Sequence, residues 1–123
     1  MSQLKIRDKK LIERIQQGEI SSGGEDFSGH DFSGVSFYGL ELNNCDFSNC
    51  DFRNSDLRLA DFSNCNFCRA DLHGANLEEA NLSSCDLYNA DMVGVNLSSY
   101  VQMWCSGSES SDVFSANPII PVF

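Results

Sequence analysis

The chain has 123 residues, 18 of them acidic and 8 basic, for a net charge of −10. That length suits one domain, and that acidity argues against binding nucleic acid through its phosphates, which takes a basic surface. No apolar stretch approaches the roughly 20 residues of a membrane span and no basic-then-apolar signal segment opens the sequence, so the expectation is a cytoplasmic protein with neither membrane nor nucleic acid as a direct partner.

Residues 1–24 are expected to form an N-terminal helical cap. From residue 1 to about 20, Leu4, Leu11, Ile12 and Ile15 share one face at helical spacing, Lys9, Lys10 and Arg14 lie elsewhere, and Gly18 supplies a stop. Its expected role is to cover the first coil of a solenoid built by the residues after it, because exposed solenoid ends need covering. A docking helix for a partner is the alternative.

Residues 25–99 carry a repeat. Every fifth residue from Phe27 to Leu97 is Phe, Leu or Met, fifteen positions without a miss. A period of five matches neither a helix at 3.6 residues nor a strand at 2, and it marks a solenoid. With that residue as the centre of each unit, the residue before it is Asp or Asn in 13 of 15 repeats, Ser36 and Glu41 excepted. Two before the centre lies a small or apolar residue in 13 of 15, Glu25 and His30 excepted. The two positions after the centre are mostly Ser, Asn, Gly, Arg or Glu. Typical units are Ala70-Asp71-Leu72-His73-Gly74, Ala75-Asn76-Leu77-Glu78-Glu79 and Ala80-Asn81-Leu82-Ser83-Ser84.

These units resemble the pentapeptide-repeat family over 75 of the 123 residues. The resemblance implies an all-β fold: a right-handed quadrilateral parallel β-helix, four pentapeptides to a coil, with the centre and the small residue two before it pointing inward. One large and one small inward residue per five also suits a narrow square core, the other three facing water. Residues twenty apart then stack at about one strand spacing, ~4.8 Å, and fifteen repeats make a solenoid of just under four coils. The expected core columns include Phe27-Phe47-Phe67-Leu87 and Phe32-Phe52-Leu72-Met92. Cys45, Cys65 and Cys85 form one small inward column, and Cys50 lies in the next.

Residues 100–123 break the pattern and are expected to form a C-terminal cap and apolar tail. Tyr100, Met103 and Trp104 are apolar enough to cover the last coil. A polar link from Ser106 to Asp112 comes next, then the largely apolar Val113 to Phe123, with Pro118 and Pro121 opposing regular structure. A homodimer through this segment is one expectation.

No P-loop, GxSxG, HExxH or nucleotide fingerprint occurs, so no catalytic residue, no metal and no cofactor is expected, and the chain is read as a non-enzyme. Cys45, Cys50, Cys65 and Cys85 are read as core fillers. A thiolate metal protein is the weakest alternative, since zinc wants converging ligands and these thiols line up one per coil. Cys68 points outward, with Arg69 beside it to lower its pKa. The expected interaction surface is an acidic column, Asp31, Asp51, Asp71 and Asp91, together with Tyr38, Arg58 and the outward Leu59. Each Asp has a local role as well, accepting hydrogen bonds in an Asx turn. Residues 25–99 hold 13 acids and 3 bases, so they carry the whole net charge of −10. The expected function is therefore a non-enzymatic protein-binding or scaffold module presenting flat acidic faces to a protein partner. The alternative, implied by the resemblance, is a DNA mimic acting on a DNA-binding enzyme such as gyrase.

Overall fold

The computed structural model describes residues 5–20, 23–96 and 102–104. Within them each pentapeptide is one side and one corner of a square. The Asp, Asn or Ser before the centre accepts the backbone N–H two residues on, as Asp46 does from Ser48 at 2.9 Å and Asn66 from Cys68 at 2.8 Å. The carbonyl of the centre residue then accepts the N–H three residues on, for example Val35 N to Phe32 O at 3.1 Å. The residue two after the centre sits in the left-handed region at every corner from Gly29 to Gly94. Those are the requirements of a turn with positive φ at its third residue, so Gly and Asn suit the position.

Four such corners close a coil, and the chain winds as a right-handed quadrilateral β-helix. Successive coils are joined by parallel bridges between residues twenty apart, such as Asp31, Asp51, Asp71 and Asp91 on one side and Asp26, Asp46, Asn66 and Asp86 on the next. Each rung is short. A five-residue side that spends most of its length turning leaves one bridging residue, held for instance by Phe32 N to Asp51 O at 2.7 Å and Asp51 N to His30 O at 2.9 Å. The longer pairing among the described residues joins β1 (Asn81–Ser83) to β2 (Gln102–Trp104) in parallel, Asn81 opposite Gln102. Backbone pairing thus extends past residue 99, and at this rung the offset is twenty-one residues where the other coil-to-coil bridges have twenty.

The core follows the columns. Phe27 and Phe47 stack with ring centroids 5.2 Å apart, Phe47 and Phe67 at 5.4 Å, and Phe32 and Phe52 at 5.4 Å. Rings of different columns meet edge to face, as Phe32 does with Phe37 at 5.3 Å and Phe47 with Phe62 at 5.5 Å. Both geometries are favoured by the ring quadrupole, so aromatic stacking and square packing reinforce each other. Leu57, Leu77, Leu82, Leu87 and Met92 continue the fill toward the C-terminal coils.

Helix α1 spans Lys9–Gln16, shorter than the helix expected over the first twenty or so residues. Asp8 begins it, its side chain accepting from Leu11 N at 3.1 Å. Gly18, with φ +74°, ends it; Gly18 N bonds Ile15 O and Glu19 N bonds Arg14 O, a Schellman pair. Before the helix the chain is extended because Ile6 bridges to His30 beneath the first coil, with Asp31 N donating to Ile6 O at 2.7 Å. Ile15 is buried in the core, and Leu11, Ile12 and Ile20 pack half-buried against it. Leu4, Tyr100, the polar link and the apolar tail with its expected dimer contact lie outside the described residues.

Candidate binding faces

Asp31, Asp51, Asp71 and Asp91 do stand one above another. Each Oδ1 accepts a backbone N–H of its own turn, from Ser33 at 2.9 Å, Arg53 at 3.0 Å, His73 at 3.1 Å and Val93 at 3.0 Å. Two arginines thread this column. Arg53 binds Asp51 through Nε at 3.0 Å and Nη2 at 2.8 Å and lies 3.9 Å from Asp71, while Arg7, carried in by the extended segment before α1, lies 3.4 Å from Asp31. Asp51 is only 7 % exposed. Burial works to raise the Asp31 pKa, but the Ser33 hydrogen bonds and the charges of Arg7 and Arg53 outweigh it and hold the carboxyl below its ordinary value. The column is therefore partly neutralised at Asp31 and Asp51, and its charge meets water mainly at Asp71 and Asp91.

Tyr38, Arg58 and Leu59 come together on the neighbouring face. The Arg58 guanidinium lies 5.1 Å from the Tyr38 ring centroid, and it grips Asp56 with Nε to Oδ1 at 2.8 Å and Nη2 to Oδ2 at 2.7 Å. That ion pair holds the Asp56 carboxyl below, and the Arg58 guanidinium above, their ordinary values. Leu59 occupies the corner with φ 59° and remains 45 % exposed. The opposite face carries a second stack, Arg69 over Tyr88 at 5.8 Å, which the sequence reading missed. The signal for it was the twenty-residue column joining Cys68 to Tyr88. Also missed were the left-handed corners, although Gly or Asn holds ten of the fourteen corner positions from 29 to 94.

Three of the inward thiols donate to backbone carbonyls. Cys50 Sγ donates to Phe27 O at 3.0 Å, Cys65 Sγ to Leu42 O at 3.0 Å and Cys85 Sγ to Phe62 O at 2.9 Å, each reaching a carbonyl of the coil below. Burial pushes the Cys50 pKa up to about 12, and contact with the Cys45 thiol, then burial, drives Cys65 upward as well. Cys45 goes the other way, its contact with the Cys65 thiol holding it below the ordinary value. Since metals bind thiolates, the raised Cys50 and Cys65 oppose a metal–thiolate centre. No group of three or more His, Cys, Asp or Glu among the described residues is placed to hold a metal ion. The expected lowering of Cys68 is corrected: Arg69 Nη1 lies 3.4 Å from its sulfur, but burial and the nearby Asp86 carboxylate outweigh that charge, and the pKa is raised.

A cleft of about 400 Å³ opens between α1 and the first coil, lined by Leu11, Arg14, Glu19, Ile20, Phe27 and His30 among others. His30 fills an inward position there, its Nδ1 2.9 Å from Phe27 O and its ring stacked on Phe32 at 5.7 Å. Among the described residues no helix is long and apolar enough to cross a membrane.

The solved structures similar to this chain share the architecture. QnrB1, described as a plasmid-mediated fluoroquinolone resistance protein, is 26 % identical with a TM-score of 0.58 over 62 % of this chain and 41 % of its own. HetL, a pentapeptide repeat protein involved in heterocyst differentiation regulation in the cyanobacterium Nostoc, is 23 % identical with a TM-score of 0.62 over 66 % of this chain and 38 % of its own. A pentapeptide repeat protein of the Arabidopsis thaliana thylakoid lumen is 24 % identical with a TM-score of 0.52, over 63 % of this chain and 68 % of its own. The chain thus spans about two fifths of the length of QnrB1 and HetL. No curated protein matches it by sequence. The profile described as "Pentapeptide repeats" matches eight copies over residues 26–54 and 60–98. With the five-residue period, the square coil and this match over more than half of its length, the chain belongs to the pentapeptide-repeat family.

Proposed function

We propose that the chain is a non-enzymatic, cytoplasmic protein-binding module, a short rod that meets a protein partner through flat acidic faces, with α1 covering its N-terminal end. The observation that supports this best is where the charge lies. Residues 25–99 hold 13 acids against 3 bases, and the turns fix most of those carboxylates at five-residue intervals on the outside of the rod. Regularly spaced charge on a preformed surface favours a partner of opposite sign, and little ordering is needed on binding. Affinity capture from the native host at low and high salt tests the reading. A basic protein retained at low salt and released at high salt is the expected result; retention of no protein at any salt would overturn it.

A second reading is DNA mimicry toward a DNA-binding enzyme such as gyrase. It is favoured by the net charge of −10 and by the likeness to QnrB1, a fluoroquinolone resistance protein. A supercoiling assay with purified gyrase decides it: inhibition or protection is expected if the reading holds, and no effect at high molar excess sinks it.

A further inference from the structure

We propose that the corner formed by Tyr38, Arg58 and Leu59 docks a protein segment bearing an aliphatic or aromatic side chain flanked by lysines or arginines. The inference deepens the protein-binding reading above and rests on it.

Leu59 is the starting point. Its φ of 59° places it in the left-handed region, which is costly for a side chain with a Cβ and no local polar compensation, and where this chain uses Gly or Asn at ten of the other thirteen corners. Among the described residues it is the one aliphatic side chain held in that conformation. Its side chain lies outside the core cluster and 45 % exposed, so the fold gains little in return. A residue that costs conformational energy and exposes apolar surface at once calls for a role outside folding.

The surroundings supply the rest of a docking point. Tyr38, 52 % exposed, is backed by the Arg58 guanidinium at 5.1 Å, and Arg58 is itself clamped by Asp56 through two hydrogen bonds of 2.8 and 2.7 Å. The ring and the leucine are thus presented on a rigid base, so binding orders few side chains. Gly39 lies one rung below Leu59 at the same corner, and a Cβ there would meet nothing within 4 Å, which leaves a step beside the leucine for an incoming side chain. Tyr and Arg are the residues that most often anchor interfaces.

Charge selects the partner. The positive charge of Arg58 is spent on Asp56, while Glu78 and Glu79 stand on the next rung of the same face, so the rim presents excess negative charge. A basic flank on the partner complements that rim, and an acidic peptide or a nucleic acid is repelled by it. The Arg69–Tyr88 stack on the opposite face has no aliphatic neighbour at its own corner, where Arg69 itself takes the positive φ of 62°.

The test selects displayed random peptides on the immobilised full chain at physiological ionic strength. Recovered peptides are then titrated by fluorescence anisotropy against the wild type, Leu59→Asn, Tyr38→Ser and, as a control on the opposite face, Tyr88→Ser. Asn suits the left-handed corner, so Leu59→Asn keeps the fold, and its melting curve verifies that. The expected peptides pair an apolar residue with neighbouring Lys or Arg, bind both corner variants roughly tenfold or more weakly than wild type, and are indifferent to Tyr88→Ser. Peptides whose affinity falls with salt but is unchanged in both corner variants would overturn this proposal and leave the protein-binding reading standing. If no peptide is recovered, the corner proposal falls, while the protein-binding reading stands or falls by the salt-dependent affinity capture.

Discussion

Nine non-glycine side chains occupy corners with positive φ: five are Asn, and the others are Leu59, Arg69, Glu79 and Ser84. Asn tolerates that backbone because its short polar side chain bonds locally, whereas Leu has no such compensation. Leu59→Asn should therefore raise stability by about 1 kcal/mol, read as a higher urea midpoint with an unchanged slope. The reverse experiment is Gly74→Ala. A Cβ at Gly74, where φ is +71°, would stand 2.4 Å from Asn54 Oδ1, so the substitution adds backbone strain and displaces a carboxamide. It should cost about 1–2 kcal/mol in the same measurement. The preference for Gly and Asn two residues after each centre was visible in the sequence. That Leu59 violates a rule was not, because the rule is a dihedral angle and appears only once the corner is built.

At the level of coils and columns, Phe47 is the best single probe. Its ring stacks on both Phe27 and Phe67 and meets Phe32, Phe37, Phe52 and Phe62 at an angle. Phe47→Ala should cost about 3–5 kcal/mol, a large part of a small domain's stability, and should be seen as unfolding at much lower urea or as loss of the folded state. The columns were legible in advance because a strict period maps directly onto stacking. The limits of α1 were not. Its apolar spacing runs toward residue 4, but Ile6 is claimed by a bridge to His30, a partner far along the chain that local periodicity does not reveal. The offset of twenty-one between Asn81 and Gln102 was hidden for a similar reason, since the repeat pattern stops before it.

Over the whole molecule, the acidic column was readable as a column, while its partial neutralisation was not. Arg53 falls within the repeat, but Arg7 reaches Asp31 only because the chain before α1 folds back beneath the first coil. These pairings set the response to acid. Asp31 and Asp56 have pKa values lowered in the folded state, so their contribution is fully present above the ordinary carboxylate value of 3.8 and is lost as the pH falls through the lowered folded values. Calorimetry should show a melting temperature that holds from neutrality to about pH 5 and drops below about pH 4. Asp56→Asn should shrink that drop. A melting temperature that rises on acidification would mean that mutual repulsion among the carboxylates outweighs their hydrogen bonds.

The rungs have one further consequence. Because neighbouring coils are joined by the same kind of bridge at an offset of twenty residues, a coil added or removed as one cassette would leave every face in its place and change only the length, by about 4.8 Å. Length along this rod is quantised. The Tyr38–Arg58 and Arg69–Tyr88 stacks lie on opposite faces at different heights, about half a coil of chain separates Arg58 from Arg69, and a coil inserted there would change their separation by one whole step. A partner that touched both would be reading a ruler, and a single inserted cassette would put its two grips out of reach of each other.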